Sequence, residues 1–270
     1  MQHLSPTDLS ILLIEPSDVQ RRIITKQLQQ EEILHIESAS SIADAKQKIR
    51  QHQPDLIISA LHFTDGTAFD LLSTLKSSPE SADIPFMLVS SETRKSQLEQ
   101  FKQSGVLAIL PKPFSRVHLG RAINAAMDLL SPAELQLSLY DIASLRVLIV
   151  DDSRLARNHI RKVLSTMGIR LMDEAVDGQQ AIAMLQQQLV DLVVTDYNMP
   201  EVNGQELTDF IRQSSALSHI PVLMVTSEAN ESHLSNIAQS GVNALCDKPF
   251  EPETVRALLY QLLEEDAMAH

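Results

Sequence analysis

Positive charge is scarce in this sequence. Against 35 Asp and Glu there are only 22 Lys and Arg, giving a formal net charge of −13. Binding to nucleic acid or an acidic membrane relies on Lys and Arg neutralising phosphates, so neither is expected as a partner. Cysteine is nearly absent: Cys246 stands alone, which excludes an intrachain disulfide and fits a reducing compartment. Long apolar runs are missing too. The N-terminus has no basic region, the run Ile11 to Ile14 is far too short for a signal peptide, and nothing approaches the roughly 20 apolar residues of a membrane span. Neither Gly-x-Gly nor Gly-Lys-Ser/Thr occurs, which argues against a nucleotide-binding enzyme. These absences together predict a soluble cytoplasmic protein.

What is present is a repeat. Lys112-Pro113-Phe114 recurs as Lys248-Pro249-Phe250, an offset of 136 residues. The same offset carries Ile84-Pro85 onto Ile220-Pro221, Ser104-Gly105-Val106 onto Ser240-Gly241-Val242, and Asp55-Leu56 onto Asp191-Leu192. One constant shift means two halves that share a fold without insertions, and the period is too long for a solenoid. A chain of 270 residues has room for two such domains. They are expected over 9–130 and 145–266, with 131–144 as a linker. In that linker Ser131-Pro132-Ala133-Glu134 reads as a capping box opening a short helix, and an inert spacer is the competing reading.

Each half alternates short apolar runs with amphipathic segments. In the second half Arg146–Val150, Val190–Thr195 and Ile220–Thr226 read as parallel strands buried on both faces, with weaker strands near Leu171–Ala175 and Ala244–Cys246. Between them Leu155, Ile160, Val163, Leu164 and Met167 recur at helical spacing and stop at Gly168. Further helices are expected over Ala181–Gln188, Glu206–Gln213, Ser232–Gln239 and Glu253–Leu263. This alternation implies an α/β fold, two doubly wound parallel sheets with helices on both faces of each.

Ligands of an open α/β sheet bind outside the carboxyl ends of its strands. Asp151 and Asp152 directly follow the first strand of the second half, and Asp196 follows the third. Clustered carboxylates stay ionised only beside something cationic. Lys248, at the end of the last strand, is one candidate; a hard metal ion such as Mg²⁺, which prefers all-oxygen ligation, is the other.

Four segments now stand in order: Val147-Leu148-Ile149-Val150-Asp151-Asp152-Ser153, Thr195-Asp196-Tyr197-Asn198-Met199-Pro200, Val225-Thr226-Ser227-Glu228 and Asp247-Lys248-Pro249-Phe250. They resemble the response-regulator receiver family, above all its single-domain chemotaxis members, and the resemblance covers nearly the whole chain. It implies two five-stranded (βα)5 sheets in tandem with strand order 2-1-3-4-5. It also implies a two-component phosphorelay role, in which Asp196 takes a phosphoryl group from a histidine kinase or histidine phosphotransfer protein. Asp151, Asp152, Asp196 and the backbone carbonyl of Asn198 would hold Mg²⁺, Asp151 largely through water. Thr226 and Lys248 would hold the phosphoryl oxygens, and Asn198 and Glu228 would tune its loss to water. Many receivers carry Tyr or Phe three residues before the lysine as part of the switch. Here that position is Leu245, and Ile109 in the first half, so a differently wired switch is expected.

The same offset places Glu15, Pro16, Ala60 and Ser90 opposite Asp151, Asp152, Asp196 and Thr226, while Lys112 is kept. Alanine offers no nucleophile, and a single carboxylate makes a poor Mg²⁺ cage. The first half therefore reads as a non-phosphorylatable pseudo-receiver, a module for docking, homodimerisation or covering its neighbour, and Glu15 is expected to pair with Lys112 so that neither charge is stranded. His62 falls opposite Asn198, and a solvated side chain is its plainer reading. Cys246 reads as a buried strand residue. For the whole chain, a stand-alone module that switches an as yet unknown downstream protein competes with two alternatives: a regulatory fragment of a larger effector such as a diguanylate cyclase, and a constitutive scaffold. An enzyme is not expected, because haloacid dehalogenase phosphatases need Asp-x-Asp where this chain has Asp151-Asp152-Ser153.

Overall fold

The computed structural model describes residues 5–92, 95–131, 135, 137, 141–227 and 241–265. The chain divides into two compact units, Met1–Ser131 and Pro132–His270. In the first, strands β1 (Ser10–Ile14), β2 (His35–Ala39), β3 (Leu56–Ala60), β4 (Phe86–Ser90) and β5 (Ala108–Pro111) alternate with helices α1 (Asp18–Gln30), α2 (Ile42–Gln51), α3 (Ala68–Lys76), α4 (Lys95–Lys102) and α5 (Arg116–Leu130). In the second, β6 (Arg146–Val150), β7 (Leu171–Ala175), β8 (Leu192–Asp196), β9 (Val222–Thr226) and β10 (Ala244–Asp247) accompany α6 (Arg154–Thr166), α7 (Gly178–Leu185), α8 (Gly204–Gln213) and α9 (Pro252–Tyr260). Both sheets have five strands, paired in the orders β2-β1-β3-β4-β5 and β7-β6-β8-β9-β10, and every pairing within them is parallel. These are the two doubly wound sheets of order 2-1-3-4-5 that the sequence resemblance implied.

Sequence explains the layering. The central strands β3, β4, β8 and β9 are buried at every residue, as continuous apolar runs covered on both faces should be. The edge strands β2 and β7 are instead half-exposed and alternate. Helix starts carry polar caps: Ser153 accepts from the Ala156 N–H, Asp177 from Gln180, and Asn203 completes a capping box with Glu206. The first helix of the second half ends where expected, with Gly168 just beyond it at φ +99°.

Boundaries differ from the sequence reading in ways that have local causes. Helix α7 begins at Gly178, three residues before Ala181, because Asp177 supplies the cap. Strand β9 begins at Val222, after Pro221, which has no N–H to give a ladder. Strand β8 runs on to include Asp196, so the aspartate ends the strand and does not follow it. Beyond α9 the chain continues as a π turn over Gln261–Glu265. The helix expected at 232–239, Glu228, and all of the helix start expected at 131–134 except Ser131 lie outside the described residues.

Candidate functional site

Strand register brings the acidic residues of the second unit together. Val150 is paired with Thr195 and Asp196 with Val225, so the residue that follows β6, Asp151, reaches the same sheet edge as Asp196. Thr226 is paired with Asp247, which delivers Lys248 beside it, and the Lys248 N–H donates to the Thr226 carbonyl at 2.7 Å. Asp151, Asp196, Thr226 and Lys248 are all buried. The Lys248–Pro249 peptide is cis, as is Lys112–Pro113.

Lys248 stands between two carboxylates. Its Nζ donates to Asp151 Oδ2 at 3.0 Å and lies 2.9 Å from Asp196 Oδ2. The second contact has the distance of an ion pair but not the direction of a hydrogen bond, since Asp196 Oδ2 is a buried oxygen with no hydrogen-bond partner among the described residues. The other Asp151 oxygen, Oδ1, accepts from the Ser153 N–H at 2.8 Å. Asp152 is exposed at the rim, and one oxygen from each of Asp151, Asp152 and Asp196 lies within 4.8 Å of the others.

Electrostatics follow from this crowding. Burial pushes the Asp196 carboxyl up to about 6; Lys248 opposes the rise and Asp151 adds to it. Burial likewise raises Asp151, against Lys248 and the Ser153 N–H. Burial on its own would lower Lys248, but Asp196 and Asp151 outweigh it and hold the ammonium above its ordinary range. The buried groups are thus two carboxylates against one ammonium. An orphaned carboxylate oxygen, a deficit of positive charge and donors that are all oxygen fit a hard divalent cation.

Other residues complete the surroundings. The Asn198 N–H favours the ionised Asp196 carboxylate, and Asn198 is itself exposed. Leu245 is half-buried and paired with Met224. Burial pushes the Cys246 thiol up to about 12, so it stays protonated and unreactive.

Three residues that shape the site escaped the sequence reading. The Thr195 hydroxyl donates to the Asp196 carbonyl at 3.0 Å. Gly204 opens α8 so close to the same carbonyl that a Cβ there would lie 2.1 Å from it. Arg157 donates to the Asp151 carbonyl at 2.7 Å and the Asp152 carbonyl at 3.3 Å. The offset of 136 could have drawn attention to two of them, because Gly204 falls opposite Ala68 and Arg157 opposite Arg21.

The equivalent edge of the first unit is arranged differently. Lys112 Nζ donates to Glu15 Oε2 at 2.7 Å, and Glu15 Oε1 accepts from the Ser17 N–H at 3.0 Å. Ala60 ends β3, Pro16 is exposed, and Ser90 Oγ accepts from the Glu92 N–H at 3.0 Å. After Ala60 the loop folds into a ribbon of His62–Phe63 against Gly66–Thr67, with His62 exposed.

The sequence model of the response regulator receiver domain matches this chain twice, over residues 11–124 and 147–260. The chain belongs to the response-regulator receiver family. Among individual proteins, it is similar to the chemotaxis protein CheY-3 of Vibrio cholerae, 39% identical over 121 residues that make up 45% of this chain and 93% of that protein. The chemotaxis protein CheY of Pseudomonas aeruginosa is 38% identical over 120 residues, 44% of this chain and 97% of its own. Of solved structures, the chemotaxis response regulator CheY4 of Vibrio cholerae is 32% identical, covering 44% of this chain and 98% of that one with a TM-score of 0.41. The protein is therefore a tandem receiver of two-component signal transduction. Among its described residues no helix is long and apolar enough to cross a membrane.

Proposed function

We propose that the second receiver is the phosphorylated one and that Asp196 is its acceptor. The observation that carries this reading is the state of Asp196 Oδ2: buried, without a hydrogen-bond donor, and 2.9 Å from the Lys248 ammonium. A buried carboxylate oxygen held beside a fixed ammonium stands where the charge of an incoming phosphoryl group would be neutralised as it attacks. In the proposed step Asp196 attacks phosphorus, the bond from phosphorus to the donor's histidine nitrogen breaks, and an acyl phosphate forms while the electron pair leaves with the imidazole. Phosphoryl transfer depends chiefly on positioning and charge neutralisation. Lys248 neutralises the transferred oxygens and Thr226 donates to them. Asp151, Asp152, Asp196 and the Asn198 carbonyl would hold Mg²⁺, which when bound supplies the second positive charge that the pocket lacks.

The first receiver, with Ala60 at the acceptor position and its lysine already matched by Glu15, serves as a non-phosphorylatable docking or dimerisation module. A histidine kinase or histidine phosphotransfer protein supplies the phosphoryl group, and phosphorylation shifts the second receiver between two states that a downstream protein distinguishes. With Leu245 where many receivers have an aromatic ring, that shift runs through packing alone; Glu228 and Asn198 would set how fast the acyl phosphate is lost.

Incubation with acetyl phosphate and Mg²⁺ followed by intact mass measurement tests this directly. The wild-type chain should gain a single phosphoryl group and Asp196→Asn none. Equal labelling of Asp196→Asn, or a second group on the wild type, would overturn the assignment.

A further inference from the structure

The acidic pair Asp151-Asp152 sits on a turn, and a turn needs something to hold it if two adjacent carboxylates are to face one cation. Arg157 does this from one helical turn into α6. It is buried, 8% exposed, and its Nη1 donates to both the Asp151 and Asp152 carbonyls. Its Nε donates to Glu174 Oε2 on β7 at 2.9 Å. The other oxygen, Glu174 Oε1, accepts from Arg161 Nε at 2.7 Å, and Arg161 Nη2 donates in turn to the Met172 carbonyl at 3.2 Å. A guanidinium is planar and rigid, so fixing Nε fixes the direction in which Nη1 points. Glu174, anchored on a strand paired with β6, thereby fixes the turn.

The first receiver supplies the comparison. Arg21, opposite Arg157, still donates to a strand-end carbonyl, that of Glu15, at 2.5 Å. Its other arm, however, turns outward to the exposed Asp18 on its own helix. Opposite Glu174 stands Ser38, and opposite Arg161 stands Thr25. The carbonyl contact is common to both halves; among the described residues the lock of this arginine onto the neighbouring strand is found in the half with the carboxylate cluster.

We propose that Arg157, locked by Glu174, is a positioning residue that holds Asp151 and Asp152 in the geometry that binds the divalent cation. This rests on the reading of the second receiver as a Mg²⁺ site. Loss of partners behind a metal ligand commonly weakens metal affinity 10–100-fold. Calorimetric titration of Mg²⁺ into the full chain should therefore show Glu174→Ala binding about 10-fold more weakly than wild type, with Glu174→Gln, which keeps one acceptor for Arg157, in between. Arg157→Lys should lose affinity too, because an ammonium cannot hold two carbonyls and Glu174 in one plane. At saturating Mg²⁺ the acetyl phosphate reaction of Glu174→Ala should return to the wild-type rate. A Glu174→Ala chain with a lower urea midpoint but wild-type Mg²⁺ affinity would overturn the proposal and show a role in stability alone. A flat titration of the wild type would overturn the metal reading itself, and the two failures cannot be confused.

Discussion

Adding one methyl group at Gly204 tests whether the backbone of Asp196 must stay where it is. A Cβ there would lie 2.1 Å from the Asp196 carbonyl oxygen, 3.0 Å from its carbonyl carbon and 3.0 Å from Tyr197 Cα. A carbon–oxygen contact settles at about 3.3 Å or more, so relief requires a movement on the order of 1 Å, and the three nearest atoms are all backbone. Two effects of Gly204→Ala oppose each other. Replacing glycine in a helix by alanine stabilises by up to about 1 kcal/mol, whereas overpacking costs about 1–3 kcal/mol. Overpacking should win, for a net loss of about 1–2 kcal/mol. The chain has no tryptophan, and of its three tyrosines Tyr197 and Tyr260 lie in the second receiver, Tyr140 in the segment before it and none in the first receiver, so tyrosine fluorescence reports chiefly on the second receiver. With a urea slope of about 2 kcal/mol per M, its midpoint should fall by roughly 0.5–1 M. Because a misplacement of about 1 Å can cost on the order of 100-fold in rate, labelling by acetyl phosphate should slow by more than the stability loss explains. An unchanged or raised midpoint together with wild-type labelling would refute the reasoning.

Lys248→Met leaves Asp151 and Asp196 buried without their cation and should destabilise the second receiver by about 3–5 kcal/mol in EDTA, read by the same fluorescence, with added Mg²⁺ recovering part of the loss. Glu15→Gln in the first receiver should cost less, on the order of 1–2 kcal/mol, because Lys112 is 22% exposed; a far-UV dichroism transition that tyrosine fluorescence does not share would report it. The Asp196 carboxyl, raised from 3.8 to about 6, binds its proton more tightly folded than unfolded, so its contribution to stability is fully present below the lower value and is lost as pH rises through the upper one. In EDTA, Asp196→Asn should therefore gain urea midpoint over wild type at pH 7 and lose that advantage near pH 4; a difference that does not vary with pH would contradict the buried, metal-free carboxylate.

The parts of the fold that were legible in the sequence are those set by local chemistry. Strands β6 and β7 fall where their apolar runs and their alternation place them, and the pairing of Glu15 with Lys112 follows from a charge that must be matched. Segment ends were less legible, because the apolar residues that announce a helix begin after its cap: Asp177 starts α7 ahead of its first apolar residue, Ala181. The Arg157–Glu174 lock joins two elements through a tertiary contact, and nothing in the spacing of a charged helix marks which arginine turns inward. The ribbon after Ala60 was also hidden. It depends on Gly66 at φ +145°, a conformation open to glycine and closed to Val202, its counterpart.

The two receivers preserve one frame and differ in its charge balance. In each, a Lys-Pro directly follows the last strand and its ammonium meets a carboxylate that directly follows the first strand, and each has an arginine about one helical turn on that holds that residue by its carbonyl. In the first receiver the buried account is one carboxylate to one ammonium, and both Glu15 oxygens already have donors. A cation arriving there would have to displace Lys112 from Glu15, and at the position of Asp196 it would meet the Ala60 methyl in place of a carboxylate. In the second receiver Asp196 adds a buried negative charge that Lys248 cannot also cancel, and one of its oxygens is left without a donor. Burying that extra charge is costly, so on the proposed reading a bound cation and then a phosphoryl group would act on a receiver held away from electrostatic balance. On the reading proposed above, alanine in place of that aspartate removes the nucleophile and the imbalance together, so the first half would keep its lysine, its fold and its strand order without the chemistry.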